Sequence, residues 1–184
     1  MNRLASPAQL RASFTRWALF LVPALLLLGQ LSVLASGSGA QDPWFVALDK
    51  PAIFPAPPAF GIVWPILYTL MGFALAIVCA AWGSRYRLPA ILVFVFQLLL
   101  NLAWAPLFFG EHEIATGLVI IAVLDVAVIV TIVLFWQIRR TAALLMLPYL
   151  AWILFATVLN WQFLRLNPGA DGAEVSNAVQ RIEL

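Results

Sequence analysis

The chain alternates long apolar runs with short polar breaks. No charge falls between Arg16 and Asp42, so residues 17–41 form one uncharged stretch. Residues 51–84 form a second. Its opening, PAIFPAPPA, is too rich in proline for a helix interior, so the helix is predicted from Phe60 to Trp82. Runs over 88–110, 114–138 and 141–164 follow, interrupted only by Asp125. At a rise of about 1.5 Å per residue, each can cross a hydrocarbon core of about 30 Å. The pattern predicts an all-α integral membrane protein, a five-transmembrane-helix bundle, with helices near 17–35, 60–82, 88–109, 114–137 and 142–165. Three connections are tight, as between antiparallel neighbours. The fourth, 36–59, is a long loop rich in Gly, Ser and Pro. Residues 1–16 then form a basic tail, 17–167 the membrane domain and 168–184 a polar, flexible tail.

Composition agrees. Of 184 residues, 64% are hydrophobic and only 10% charged. So few charges cannot solvate the surface of a soluble domain, and a disordered chain needs the opposite balance. Ten Lys+Arg against eight Asp+Glu supply no basic face for nucleic acid. One cysteine, Cys79, allows no intrachain disulfide, and one histidine, His112, argues against a metal site.

Sorted by side, the charges orient the bundle. Five spans put the N-terminus and the second and fourth connections together. That side carries Arg3, Arg11, Arg16, Arg85, Arg87, Arg139 and Arg140 and no acid. The other has Lys50, Arg165 and Arg181 among seven acids. The bias predicts a cytoplasmic N-terminus. A competing reading makes the first span a signal peptide, cleaved after Val33-Leu34-Ala35; a stretch over 17–34 is long for that purpose.

Tryptophans divide into two groups. Trp17, Trp82, Trp136 and Trp161 lie near helix ends, where the indole anchors at the membrane interface. Trp64, Trp104 and Trp152 lie inside spans, where the N–H must find a partner or a cavity. Helical spacing places Trp64, Tyr68 and Met71 on one face of the second span. It places Gln97, Asn101 and Trp104 on one face of the third, and Tyr149, Trp152, Ala156 and Asn160 on one face of the fifth. Amides within a bilayer turn inward. They either join helices to one another or line a pocket. Asn160, Trp104, Asn101 and Trp64 all fall within about 12 Å of the end that bears the long loop. A pocket there would suit a flat, largely apolar ligand, with the loop as its lid.

The segment WFVALDKPAIFPAPPAFGIVWPILYTLMG (44–72), with QLLLNLAWAPLFFG (97–110) and LPYLAWILFATVLNWQFLRLN (147–167), resembles the TspO/MBR family of tryptophan-rich sensory and translocator proteins. The resemblance runs from about Trp17 to Asn167. It implies a five-helix bundle that binds porphyrin or haem as ligand and requires no cofactor. Some members also take sterols, other lipids or benzodiazepine-type ligands, and homodimers are common. It implies a ligand site at Trp64, Tyr68, Asn101, Trp104, Trp152, Ala156 and Asn160, beneath a lid carrying Trp44, Leu48, Lys50, Pro51 and Pro55. Some members are reported to degrade protoporphyrin in light; Trp64 and Trp152 match the tryptophans implicated. The lid departs from the family at Ile53 and Pro58, where tryptophans are usual, and at Pro55-Ala56, where Pro-Pro is. Trp161 stands where the mammalian sterol motif needs tyrosine.

No nucleophile–base pair, metal cluster or phosphate-binding loop is present in the sequence, so conventional catalysis is not expected. The absence of an internal repeat argues against an alternating-access transporter. Asp125, in mid-span, reads either as a packed, interhelically bonded carboxyl or as a functional group. His112, between Glu111 and Glu113, reads as part of a solvated turn.

Overall fold

The computed structural model describes residues 7–37 and 39–172. Arg3 and Arg181 lie outside the described residues. Five helices are long and apolar enough to span a membrane. They are α1 (Pro7–Ala35), α3 (Pro57–Ala80), α4 (Arg87–Ala105, prolonged by a π turn over Pro106–Gly110), α5 (Ile114–Ile138) and α6 (Arg140–Leu166). A short helix, α2 (Pro43–Ala47), lies in the first loop. No strand occurs among the described residues. The protein is a five-helix membrane bundle.

Two helices begin earlier than the charge pattern implies. α1 starts at Pro7 and carries Arg11 and Arg16 in its first turns; charge marks where hydrocarbon begins, not where a helix must. α3 starts at Pro57-Pro58, because proline in the first turn forfeits no helical hydrogen bond. Arg139, in extended conformation, is the whole break between α5 and α6.

Around the bundle, α3 packs on α1 and α6, α5 packs on α6 and α4, and α4 closes the ring against α1. The core joins Met71, Ala74 and Val78 of α3 to Phe94 of α4, Phe135 of α5, and Met146 and Tyr149 of α6. Phe94 and Phe135 stack with centroids 5.9 Å apart. α1 approaches α3 closely at Gly72, where a Cβ would stand 2.9 Å from the Val22 Cα. Near the loop, the Ser32 hydroxyl donates to the Leu102 carbonyl at 2.6 Å and ties α1 to α4.

Three of the four interfacial tryptophans lie under arginines. Arg87 lies 4.1 Å over Trp82, Arg140 5.3 Å over Trp136, and Arg165 5.2 Å over Trp161. Each pair gives a half-exposed indole a cationic neighbour where hydrocarbon meets headgroups.

Candidate functional site

The loop between α1 and α3 folds over one end of the bundle and has a core of its own. Trp44, Phe45 and Leu48 are buried with Phe108, Ile114 and Phe163. Asp42 starts α2 by accepting the Trp44 amide at 2.8 Å. Lys50 ends it: its ammonium donates to the carbonyls of Phe45, Val46 (2.8 Å) and Leu48 (3.0 Å), and stands 4.8 Å over the Phe45 ring. Desolvation against this surface lowers the Lys50 pKa from its usual value, and neighbouring Asp49 opposes the shift. Pro51 is buried, and its carbonyl accepts the Phe54 amide at 2.9 Å; Pro55 is half-buried beyond that turn. Trp44, Leu48, Lys50 and Pro51 therefore shape the loop, each through a definite contact.

Beneath the lid the three helical faces meet. Trp64 packs beside Tyr68, with centroids 5.6 Å apart, and the Tyr68 hydroxyl donates to Asn101 Oδ1 at 2.6 Å. Trp104 Nε1 donates to Asn160 Oδ1 at 3.0 Å, and Asn160 Nδ2 donates to the Ile114 carbonyl at 2.9 Å. Trp152 meets Phe60 of α3 edge-on at 5.8 Å, and half-buried Ala156 packs against the main core one turn further along α6. Gln97, one turn below Asn101, is fully buried, and neither atom of its amide has a hydrogen-bond partner among the described residues. Asp125 Oδ2 accepts the Thr157 hydroxyl at 2.8 Å, so the carboxyl bridges α5 and α6; Oδ1 is buried without a partner among the described residues.

The π turn sets the site's upper wall. Pro106 has no N–H, so the backbone widens at the end of α4, and the Glu111 amide reaches back five residues to the Pro106 carbonyl at 3.1 Å. Trp104 thereby stacks on Phe108 at 4.9 Å, and Phe109 stands edge-on to both. Phe45 of the lid contacts Phe108, Phe109, Phe163 and Phe54.

Several contributors escape a reading of motifs. Phe45, Phe54, Phe108, Phe109 and Phe163 form a connected network of ring contacts; the FF pair of 108–109 was the visible signal. Gly117 is pressed against the amide pair: a Cβ would lie 3.2 Å from Asn160 Oδ1 and 3.4 Å from Trp104 Nε1. His112 is not simply solvated. Its ring stacks on Trp44 at 4.4 Å, its Nε2 lies 3.4 Å from Asp42 Oδ1, and its backbone holds a positive φ of 58°.

The segment after α6 also departs from a flexible tail. Asn167 makes a reciprocal pair with Asp49, accepting its amide at 2.8 Å and donating to its carbonyl at 3.0 Å. The Ala170 carbonyl accepts Trp44 Nε1 at 2.9 Å, Asp171 accepts the Ala115 amide at 2.9 Å, and the Gly172 amide donates to the His112 carbonyl at 3.0 Å. Residues 167–172 form a strap from the lid to the start of α5. Residues 173–184 lie outside the described residues.

Comparison with known proteins agrees with this architecture. The TspO/MBR family profile matches residues 16–166. The chain is 40% identical to the tryptophan-rich protein TspO of Archaeoglobus fulgidus, over 78% of this chain and 92% of that one. It is 37% identical to the tryptophan-rich protein TspO of Chlorobaculum tepidum, over 68% and 80% respectively. It is 35% identical to the human translocator protein, over 70% of this chain and 78% of its relative. With five spans, a helical lid and a match covering all the spans, the chain belongs to the TspO/MBR family.

Proposed function

We propose that this multi-pass membrane protein binds a tetrapyrrole, porphyrin or haem, beneath its first loop, and so senses, sequesters or moves it. The observation that carries this reading is the convergence of Trp64, Tyr68, Asn101, Trp104, Trp152 and Asn160 under an aromatic lid. Flat aromatic walls stack on a macrocycle, and few but fixed polar atoms orient it. Phenylalanines fill the space under the lid, so a macrocycle enters only if Phe45 and Phe54 lift from Phe108 and Phe163. The Tyr68 hydroxyl and the Asn101 and Asn160 amides are the groups that meet polar substituents. Tryptophan-fluorescence quenching by protoporphyrin, haem and a sterol tests the reading. Saturable quenching by the tetrapyrroles, weakened by Trp64→Ala and by Asn101→Ala, is expected. Tight binding untouched by both substitutions would sink it.

A second reading, light- and oxygen-dependent degradation of the bound porphyrin, is favoured by one feature. Trp64 lies beside a hydrogen-bonded Tyr68, a pair suited to passing an electron to a photoexcited ring. Illumination with protoporphyrin under oxygen separates the readings, because products unchanged in Trp64→Phe and Trp152→Phe leave binding alone. For orientation, the arginine-rich end is placed in the cytoplasm. A reporter fused to the N-terminus and active only outside the cytoplasm should stay silent.

A further inference from the structure

The end of the bundle opposite the lid carries a groove that the site beneath the lid does not use. It has a volume of about 340 Å³ and is lined by Ser13, Arg16, Trp17 and Phe20 of α1 and by Trp82, just past the end of α3. Phe20 and Trp82 are 65% and 68% exposed, so its apolar walls open sideways into lipid. Arg16 stands at its rim, the last charge before the uncharged stretch of α1, which puts it at headgroup depth. Arg87 covers the Trp82 ring at 4.1 Å, fixing that wall and adding a second positive charge. The segments at this end, 7–16, 83–87 and 139–140, hold arginines and no Asp or Glu.

We propose that this groove binds one anionic phospholipid. Its phosphate lies against Arg16 with Arg87 near, and its glycerol and first acyl methylenes lie along Trp17, Phe20 and Trp82. Charge and depth select this occupant. A free anion would leave the apolar walls unused. A zwitterionic lipid would bring its own cation into a field of arginines with no carboxylate to receive it. A lipid headgroup with net negative charge meets both the rim and the wall, and each arginine near such a surface strengthens attraction by about fivefold.

The test is native mass spectrometry of the whole protein from micelles containing equal phosphatidylglycerol and phosphatidylcholine. One phosphatidylglycerol retained in preference is expected, with retention falling about fivefold in Arg16→Gln. Arg140→Gln, at the same end but outside the groove, should leave retention unchanged. Cys79, buried in the wild type, should stay unreactive to a thiol dye in Arg16→Gln, showing an intact fold. Equal retention of the two lipids, an unchanged Arg16→Gln, or an equal loss in Arg140→Gln would each overturn the proposal. Displacement of the lipid by millimolar inorganic phosphate would reassign the groove to a bare anion and also overturn it.

Discussion

Replacing Asn160 by leucine should expose how strongly one amide holds the site together. Its side chain is 1% exposed and makes two bonds, accepting from Trp104 Nε1 at 3.0 Å and donating to the Ile114 carbonyl at 2.9 Å. Leucine has nearly the same volume, so no cavity opens, but it strands the half-buried indole donor within a membrane span. A stranded buried donor costs about 1–3 kcal/mol, and a lost bond to a carbonyl about 1 kcal/mol. Two terms reduce the sum: leucine is more apolar, and the Ile114 carbonyl keeps its other lone pair for its own helix. The expected destabilisation is about 2 kcal/mol. Unfolding can be followed in mixed micelles of rising denaturing detergent with a thiol-reactive dye, since Cys79 is the single cysteine and is buried. Trp104→Phe removes the other partner. The double variant should be less destabilised than the two singles summed, by about 1 kcal/mol, within the range measured for interhelical bonds in membranes. Additivity within about 0.3 kcal/mol would show that the bond contributes nothing, and would refute the reasoning.

Gly117→Val should distort the same pair from the opposite side. A β-branched side chain cannot fit 3.2 Å from Asn160 Oδ1, so tetrapyrrole quenching should weaken at least about tenfold, and wild-type binding would contradict that packing. Gly117→Ala should change stability little, because about 1 kcal/mol of helix propensity is gained against a contact slightly too close. Asn167→Ala removes both strap bonds to Asp49. Amide exchange across residues 44–50 should accelerate while the core of α5 is unchanged; equal acceleration in both would mean that the strap holds the bundle rather than the lid. Lys50→Met takes three bonds from the end of α2 and should loosen the same segment, leaving the Tyr68–Asn101 pair intact. An unchanged exchange rate at Phe45 and Val46 would count against that role.

The sequence discloses the fold more fully than the site, for a physical reason. A bilayer demands that every backbone polar group be satisfied within the span, so a charge-free run of sufficient length has little choice but helix. The five spans follow from that demand. Helix ends do not: Arg11 and Arg16 lie within α1 because a helix need not stop where the hydrocarbon does. The faces bearing Trp64 and Tyr68, Asn101 and Trp104, and Trp152 and Asn160 were visible because helical periodicity is regular. Lid residues have no such period, so nothing in the spacing of Phe45 or Phe54 indicates what they touch. Gly117 acts by what it lacks, and a missing side chain leaves no pattern.

The strap shows the same limit from another direction. Asn167-Pro-Gly-Ala-Asp is polar, contains glycine, and by composition belongs to a free tail. Its attachment rests largely on backbone groups: the Ala170 carbonyl under the Trp44 indole, the Gly172 amide on the His112 carbonyl, and two bonds to the backbone of Asp49. Every residue has such groups, so they carry no sequence signal. What distinguishes a docked segment from a free one is whether donors and acceptors elsewhere are positioned to meet it. Here those positions are set by the lid and by the turn before α5, both of which border the aromatic site. A ligand that lifts Trp44 must therefore break its bond to Ala170 and its stack on His112 together, which couples opening of the site to release of the strap.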